Sequence, residues 1–298
     1  MRSSLDLHIH SCYSDDGELA PRDLAGMCMR EGLRFFAIAD HNSTRGVAQA
    51  LSCGKEYGLK VVPAVELDCR FRETHLHVLG YGIDYAARIY DEIWHSVVLQ
   101  EQKAAEKRKR LVRALGINFT EEALAAVSKW GLATGEMIAE AAMTCDENKE
   151  NPLLQPYYAG GSRSDNPYVN FFWDYCSDGK PAHVPVDLMD FQEAVKIISE
   201  TGGAAVLAHP GNNIKEDPVL LDELVKRGIC GIEAFSSYHD ARQTEYYLSF
   251  AQKREMLVTC GSDFHGKTKP NVKIGGVSCG MWEQEVLNTL QKRFFSGL

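Results

Sequence analysis

The chain has 298 residues, 45% of them hydrophobic, with 32 basic and 41 acidic side chains and a net charge of −9. That length suits one large α/β domain, or a domain plus an insertion; the acidity argues against a general nucleic-acid surface, while a small phosphorylated ligand stays possible where cations offset the charge. No apolar run reaches the length of a membrane span, the N-terminus has no apolar signal core, and nine cysteines without CxxC spacing suit a cytoplasmic protein with reduced thiols.

In chain order, the first candidate strand is Leu5–His10. A helix follows over Pro21–Glu31, with Pro21 in its first turn. Strand Phe35–Ala39, helix Thr44–Tyr57 and strands Val61–Leu67 and Leu76–Tyr81 come next. The rhythm then breaks. Residues 85–184 contain no convincing buried strand: a long helix is predicted over Ala86–Leu115, shorter ones near Thr120–Lys129 and Thr134–Met143, then a loop-like stretch, ENKENPLLQPYYAGGSRSDNPY. The cluster KAAEKRKR, beginning at Lys103, reads most simply as a solvated helix face, with phosphate binding as the alternative. Helix Phe191–Thr201, strand Ala204–Ala208, helix Pro218–Lys226, strand Gly231–Phe235, helix His239–Lys253 and strand Leu257–Cys260 complete the pattern. Strands that alternate with helices argue a parallel α/β fold. Seven of them point to a barrel or barrel-like sheet of residues 1–84 and 185–298, with 85–184 as a helical insertion.

The unusual polar residues fall at or just past strand ends. His8 and His10 end the first strand, Asp40 and His41 follow the second, and Glu66 ends the third. His75 and His77 lie at the fourth, His209 follows the fifth, Glu233 lies in the sixth, and Asp263 and His265 follow the last. In a parallel barrel those ends converge on one mouth. Burying so many ionisable groups without partners is costly; a metal cluster resolves this, because imidazoles bind cations and carboxylates balance their charge. His8 and His10 point the same way, since strand side chains alternate with period two, and Asp16 can swing back from the following turn.

The stretches DLHIHSCYSDDG, AIADHNST, VPAVEL, HVLGYGID, GKPAHVP, VLAHPG, GIEAFSSYH and GSDFHG resemble, in order, the PHP (polymerase and histidinol phosphatase) superfamily of metal-dependent phosphoesterases, and within it the stand-alone phosphatases of AMP and related nucleotides. The resemblance covers about 1–84 and 179–280. It implies a distorted seven-stranded β/α barrel (PHP fold) with a helical insertion domain over the C-terminal mouth, and two or three divalent ions: Mn²⁺, Zn²⁺, Fe²⁺ or Mg²⁺. Carried over by motif, one ion takes His8, His10, Glu66 and Asp263. Glu66 bridges to a second, with His209 and His77, and a third takes Asp16, His41 and His265. His75 falls beside the site or on the surface. The family often has a histidine in the insertion; here the corresponding LATGEMIAEAAM offers Glu136 instead.

The implied activity is hydrolysis of a small phosphate monoester by metal-bound hydroxide, the substrate being a nucleotide such as AMP or a nucleoside 3′,5′-bisphosphate. Asp16, His41 and His265 are expected to orient the phosphate. His239 is a candidate acid for the leaving group, and Lys180, Lys103 and Glu136 are candidates for substrate contact. Tyr157, Tyr158, Phe171, Phe172 and Trp173 offer a stacking wall for a base, or else core. The alternatives are an L-histidinol-phosphate phosphatase and a non-catalytic metal-binding module. No membrane partner is expected.

Overall fold

The computed structural model describes residues 3–295. Among the described residues there are nine strands: β1 (Leu5–Ile9), β2 (Phe35–Ile38), β3 (Lys60–Val61), β4 (Ala64–Phe71), β5 (Thr74–Tyr81), β6 (Met189–Asp190), β7 (Ala204–Leu207), β8 (Gly231–Ser236) and β9 (Leu257–Gly261). They form a three-stranded sheet, β1-β2-β3, and a six-stranded sheet, β6-β4-β5-β7-β8-β9. Isolated parallel bridges pair Ile9 with Phe264 and His41 with Glu66. The first links the end of β1 to the chain leaving β9; the second links the chain leaving β2 to β4.

All seven runs expected as strands are strands, with two differences. The run Val61–Leu67 is split at Pro63, which has no N–H to donate. Its first part, β3, pairs with β2 and its second, β4, with β5. The sheet is also not parallel throughout, because β5 is antiparallel to both β4 and β7. Only Arg72 and Glu73 separate β4 from β5, and two residues make a hairpin but cannot make a crossover. Arg72 takes the left-handed backbone, φ 56°, that such a turn requires.

The described residues divide into two compact units, one of 3–91, 188–265 and 272–295, the other of 92–187 and 266–271. In the first, the helices begin where the sequence supplies caps. Pro21 and Pro218 sit in first turns, Asp217 accepts the N–H groups of Val219 and Leu220, and Asp240 forms a reciprocal capping box with Gln243. The β1-β2-β3 sheet packs Ile9, Phe36, Ile38 and Val61 against Leu24, Cys28 and Ala50 of the helices Pro21–Arg30 and Val47–Tyr57. Asp6 is fully buried and ties β1 to the chain after β9, accepting from Ser262 N–H (2.9 Å) and Gly275 N–H (2.8 Å). Burial pushes its carboxyl up to about 6 against those donors.

The second unit is built on the helix Arg88–Ala114, of which residues 92–114 belong to it. Val112, Ile117, Phe119, Leu124, Ile138, Leu154 and Phe171 are in its core. Two cations of the basic cluster are not solvated. Arg108 and Lys109 are buried, Arg108 on Glu101 and the Ala133 carbonyl, Lys109 on Glu106 and Glu121. Tyr157 and Phe171 likewise lie in this core, so neither is part of an open wall, whereas Trp173 is 46% exposed. Phe171→Ala is therefore expected to cost about 3–5 kcal/mol of stability, measured as a lower denaturant midpoint; an unchanged midpoint places Phe171 outside the core. Among the described residues no helix is long and apolar enough to cross a membrane.

Candidate metal centre

The strand ends bring six imidazoles and four carboxylates together in the first unit. His8 lies within β1 and His10 just beyond it, and Asp16 lies in the loop that follows. His41 comes after β2, Glu66 and Asp68 from β4, His77 from β5, His209 after β7, and Asp263 and His265 after β9. Asn42, His209 and Asp263 have positive φ (52°, 24° and 58°), a strained conformation that clusters where side chains must be aimed. Gly261 permits a close approach, since a Cβ there would collide with the His8 Cβ and a Glu233 carboxylate oxygen.

Glu66 is the meeting point. Its Oε2 lies 3.1 Å from His8 Nε2, 3.2 Å from His10 Nε2 and 3.3 Å from His41 Nδ1. Its Oε1 lies 3.0 Å from His77 Nδ1 and 3.2 Å from His209 Nε2. Asp263 Oδ1 is 3.1 Å from His10 Nε2 and 3.4 Å from His8 Nε2, while Tyr238 donates to its Oδ2 at 2.8 Å. Asp16 Oδ2 stands 3.0 Å from His265 Nε2 and 3.9 Å from His41 Nε2.

The tautomers follow from partners that can only accept. His8 Nδ1 faces the Glu233 carboxylate (3.0 Å), His209 Nδ1 the Asn213 amide oxygen (2.7 Å) and His265 Nδ1 the Asp263 carbonyl (2.8 Å). Each Nδ1 therefore carries the proton, and each Nε2 turns a lone pair toward a carboxylate. Glu233 also accepts the His209 N–H at 3.0 Å. A lone pair facing a carboxylate across about 3 Å is repulsive unless a proton or a cation lies between. His8 Nε2, His10 Nε2, His41 Nδ1, Glu66 Oε2 and Asp68 Oδ1 are all buried with no hydrogen-bond partner. The arrangement fits divalent ions. Donor atoms within 4.8 Å of one another come from His8, His10, Glu66 and Asp263; from His41, Glu66 and His77; and from His10, Asp16, His41 and His265.

Without a cation, protons fill the gap. Burial opposes charge on His8 and His41, but the carboxylates around them raise both well above the ordinary imidazole value. Burial likewise opposes charge on Glu66 and Asp16, yet the imidazoles hold both well below the usual carboxylate range.

His239 has both ring nitrogens engaged by backbone, Nδ1 with the Ala234 carbonyl (2.9 Å) and Nε2 accepting the Gly211 N–H (2.9 Å). That corrects its expected role, because a ring fixed as an acceptor at Nε2 has no proton to give a leaving group. Lys103, Glu136 and Lys180 belong to the second unit, the two lysines exposed and Glu136 half-buried in the first turn of helix Gly135–Met143. Three contributors escape a sequence reading: Asp68, Asn213 and Tyr238. Only Asp68 left a signal, standing two residues after Glu66 and so on the same strand face.

The family model of the PHP domain matches residues 6–148. Three curated relatives align along most of their length. The phosphoribosyl 1,2-cyclic phosphate 1,2-diphosphodiesterase of Eggerthella lenta is 29% identical over 88% of this chain and 94% of that protein. A 5′-3′ exoribonuclease of Haemophilus influenzae is 25% identical over 89% and 91%. The 3′,5′-nucleoside bisphosphate phosphatase of Chromobacterium violaceum is 26% identical over 92% and 91%. The domain model thus spans the strands that carry His8, His10, His41, Glu66 and His77, and the relatives are matched nearly end to end.

Proposed function

We propose that the chain is a metal-dependent phosphoesterase that hydrolyses a small phosphate monoester, a nucleotide such as a nucleoside 3′,5′-bisphosphate or AMP. The observation that carries this is Glu66, one buried carboxylate shared by five imidazoles whose lone pairs demand cations. The nucleotide part is supported by the bisphosphatase relative. These donors would hold divalent ions, which would supply neutralisation of the phosphoryl oxygens and a water of lowered pKa. The chain's own residues set where that happens. Glu233 and Asn213 fix the proton on Nδ1 of His8 and His209 and so aim both Nε2 atoms at Glu66. Tyr238 occupies Oδ2 of Asp263 and leaves Oδ1 facing His8 and His10. Ser14 holds the Asp16 loop by bonding to both His10 Nδ1 and the His41 N–H. We read the two isolated bridges as the seams that close the sheets into the distorted barrel.

A phosphate-release screen of the Mn²⁺-loaded protein tests the substrate. It includes AMP, other nucleoside monophosphates, 3′,5′-bisphosphates, histidinol phosphate, sugar phosphates, a ribosyl 1,2-cyclic phosphate and a 5′-phosphorylated oligoribonucleotide. The expected result is a kcat/KM for a mononucleotide at least roughly tenfold above the sugar phosphates, as about 1.4 kcal/mol of base recognition provides. Preference for the cyclic diester or the oligonucleotide rejects the monoester reading.

A further inference from the structure

The β4–β5 hairpin carries another donor group on the far side of His77. Asp68 lies directly across the ladder from His77, and His75 is two residues along on the same face. One donor atom from each of Asp68, His75 and His77 falls within 4.8 Å of the others. The His77 ring faces both this group and the inner centre: Nδ1 is 3.0 Å from Glu66 Oε1, and Nε2 is 3.4 Å from Asp68 Oδ1. Asp68 is held in place by Asn42, which donates to its Oδ2 at 2.7 Å and accepts its N–H at 3.1 Å. Its Oδ1, buried and without a hydrogen-bond partner, lies 3.0 Å from His41 Nδ1 and 3.4 Å from His77 Nε2. Asn213, which accepts from His209 Nδ1, also donates to the His75 carbonyl at 3.3 Å and so pins this strand to the centre. His75 itself is exposed, which gives a hydrated ion access to the group.

We propose that Asp68, His75 and His77 form an outer site for a transition-metal ion of the zinc type, and that filling it inhibits the enzyme. The inhibition rests on the phosphoesterase reading above; the binding does not. Two imidazoles and a carboxylate suit zinc, whereas Mg²⁺ prefers oxygen and water. A neutral imidazole coordinates through one nitrogen because the other keeps its proton. His77 therefore serves the Glu66 side or the Asp68 side, and an ion on Asp68 withdraws it from the inner centre. Arg70, opposite His75 on the ladder, adds a positive charge nearby and makes the outer group the last to fill.

The test titrates zinc into the metal-free protein, counting bound metal by equilibrium dialysis and following turnover of an aryl phosphate. Wild type, His75→Ala and His75→Cys are compared, each against its own maximum. Wild type is expected to bind one zinc more than His75→Ala, with turnover falling at least about tenfold as that last ion binds. His75→Ala moves the fall to roughly tenfold higher zinc or beyond. His75→Cys regains the ion, since a thiolate also ligates zinc. Equal zinc counts in all three proteins overturn the site. An extra ion with no fall in turnover overturns the inhibition. An extra ion in a protein with no turnover at any zinc level counts against the phosphoesterase reading and supports the site.

Discussion

Glu66→Gln is expected to lower turnover by about 10³-fold or more and to leave the purified protein at least one metal ion short. Metal-assisted stabilisation of the developing charge is worth several kcal/mol, and about 4 kcal/mol corresponds to that factor. The substitution keeps the shape of a fully buried side chain that lies within 3.3 Å of five imidazoles. It removes the one charge that both of its oxygens bring to the cluster. In the metal-free fold Glu66 also holds His8 and His41 charged, so the neutral amide loses that attraction and lets those imidazoles release their protons, leaving lone pairs to which its NH₂ group can donate. Metal analysis and aryl phosphate turnover therefore fall together, and the unfolding midpoint of the metal-free protein depends less on pH above about 6.5 than that of wild type. Wild-type metal content and rate in this variant move the meeting point away from Glu66.

The centre was readable in the sequence because strand alternation and strand ends are local properties. HxH in β1, DH after β2, E in β4 and DxH after β9 each report a side-chain direction without any knowledge of the neighbouring strand. What the neighbours do was not readable. The antiparallel course of β5 depends on a two-residue turn, Arg72–Glu73, whose charged residues carry none of the usual Gly or Asn signal of a hairpin. The hydrogen bonds that disqualify His239 come from Ala234 and Gly211, backbone groups that sequence pattern does not place. Asn213 and Tyr238 act through contacts with His209 and Asp263 across 4 and 25 residues, and neither residue type announces such a role. In residues 85–184 the helices Arg88–Ala114, Glu121–Val127 and Gly135–Met143 were legible from apolar period, whereas the short helix Pro167–Phe171 was not. The burial of Arg108, Lys109, Tyr157 and Phe171 was not, because charge and aromaticity look the same in sequence whether a face is solvated or packed.

Stripping the metal should reverse the pH dependence of stability. In the metal-free protein His8 and His41 titrate well above their ordinary value, held charged by Glu66, Glu233, Asp263, Asp68 and Asp16 against the cost of burial. A raised imidazole contributes stability that is fully present below the unfolded value, about 6.5, and is lost as pH rises through the folded one. Between pH 6.5 and 8 the folded chain thus binds more protons than the unfolded chain, and stability falls by up to about 1.4 kcal/mol per pH unit for each such proton. Glu66 and Asp16 have the opposite sign. Their depressed values contribute stability above about pH 4 to 4.5, lost as pH falls toward the folded values. The metal-free protein should therefore be most stable near pH 5 to 6. A bound ion takes the lone pairs that those protons occupy, so binding releases protons and strengthens as pH rises. At about a thousandfold excess over Kd one ion adds roughly 4 kcal/mol, or about 10 °C in Tm for a chain of this size. Calorimetry from pH 6 to 8, with chelator and with Mn²⁺, should show the chelated Tm falling and the gap between the two curves widening. A chelated Tm that rises across that range would mean that the imidazoles around Glu66 are neutral in the metal-free fold, and that the repulsion between lone pair and carboxylate is relieved by something other than protons or metal.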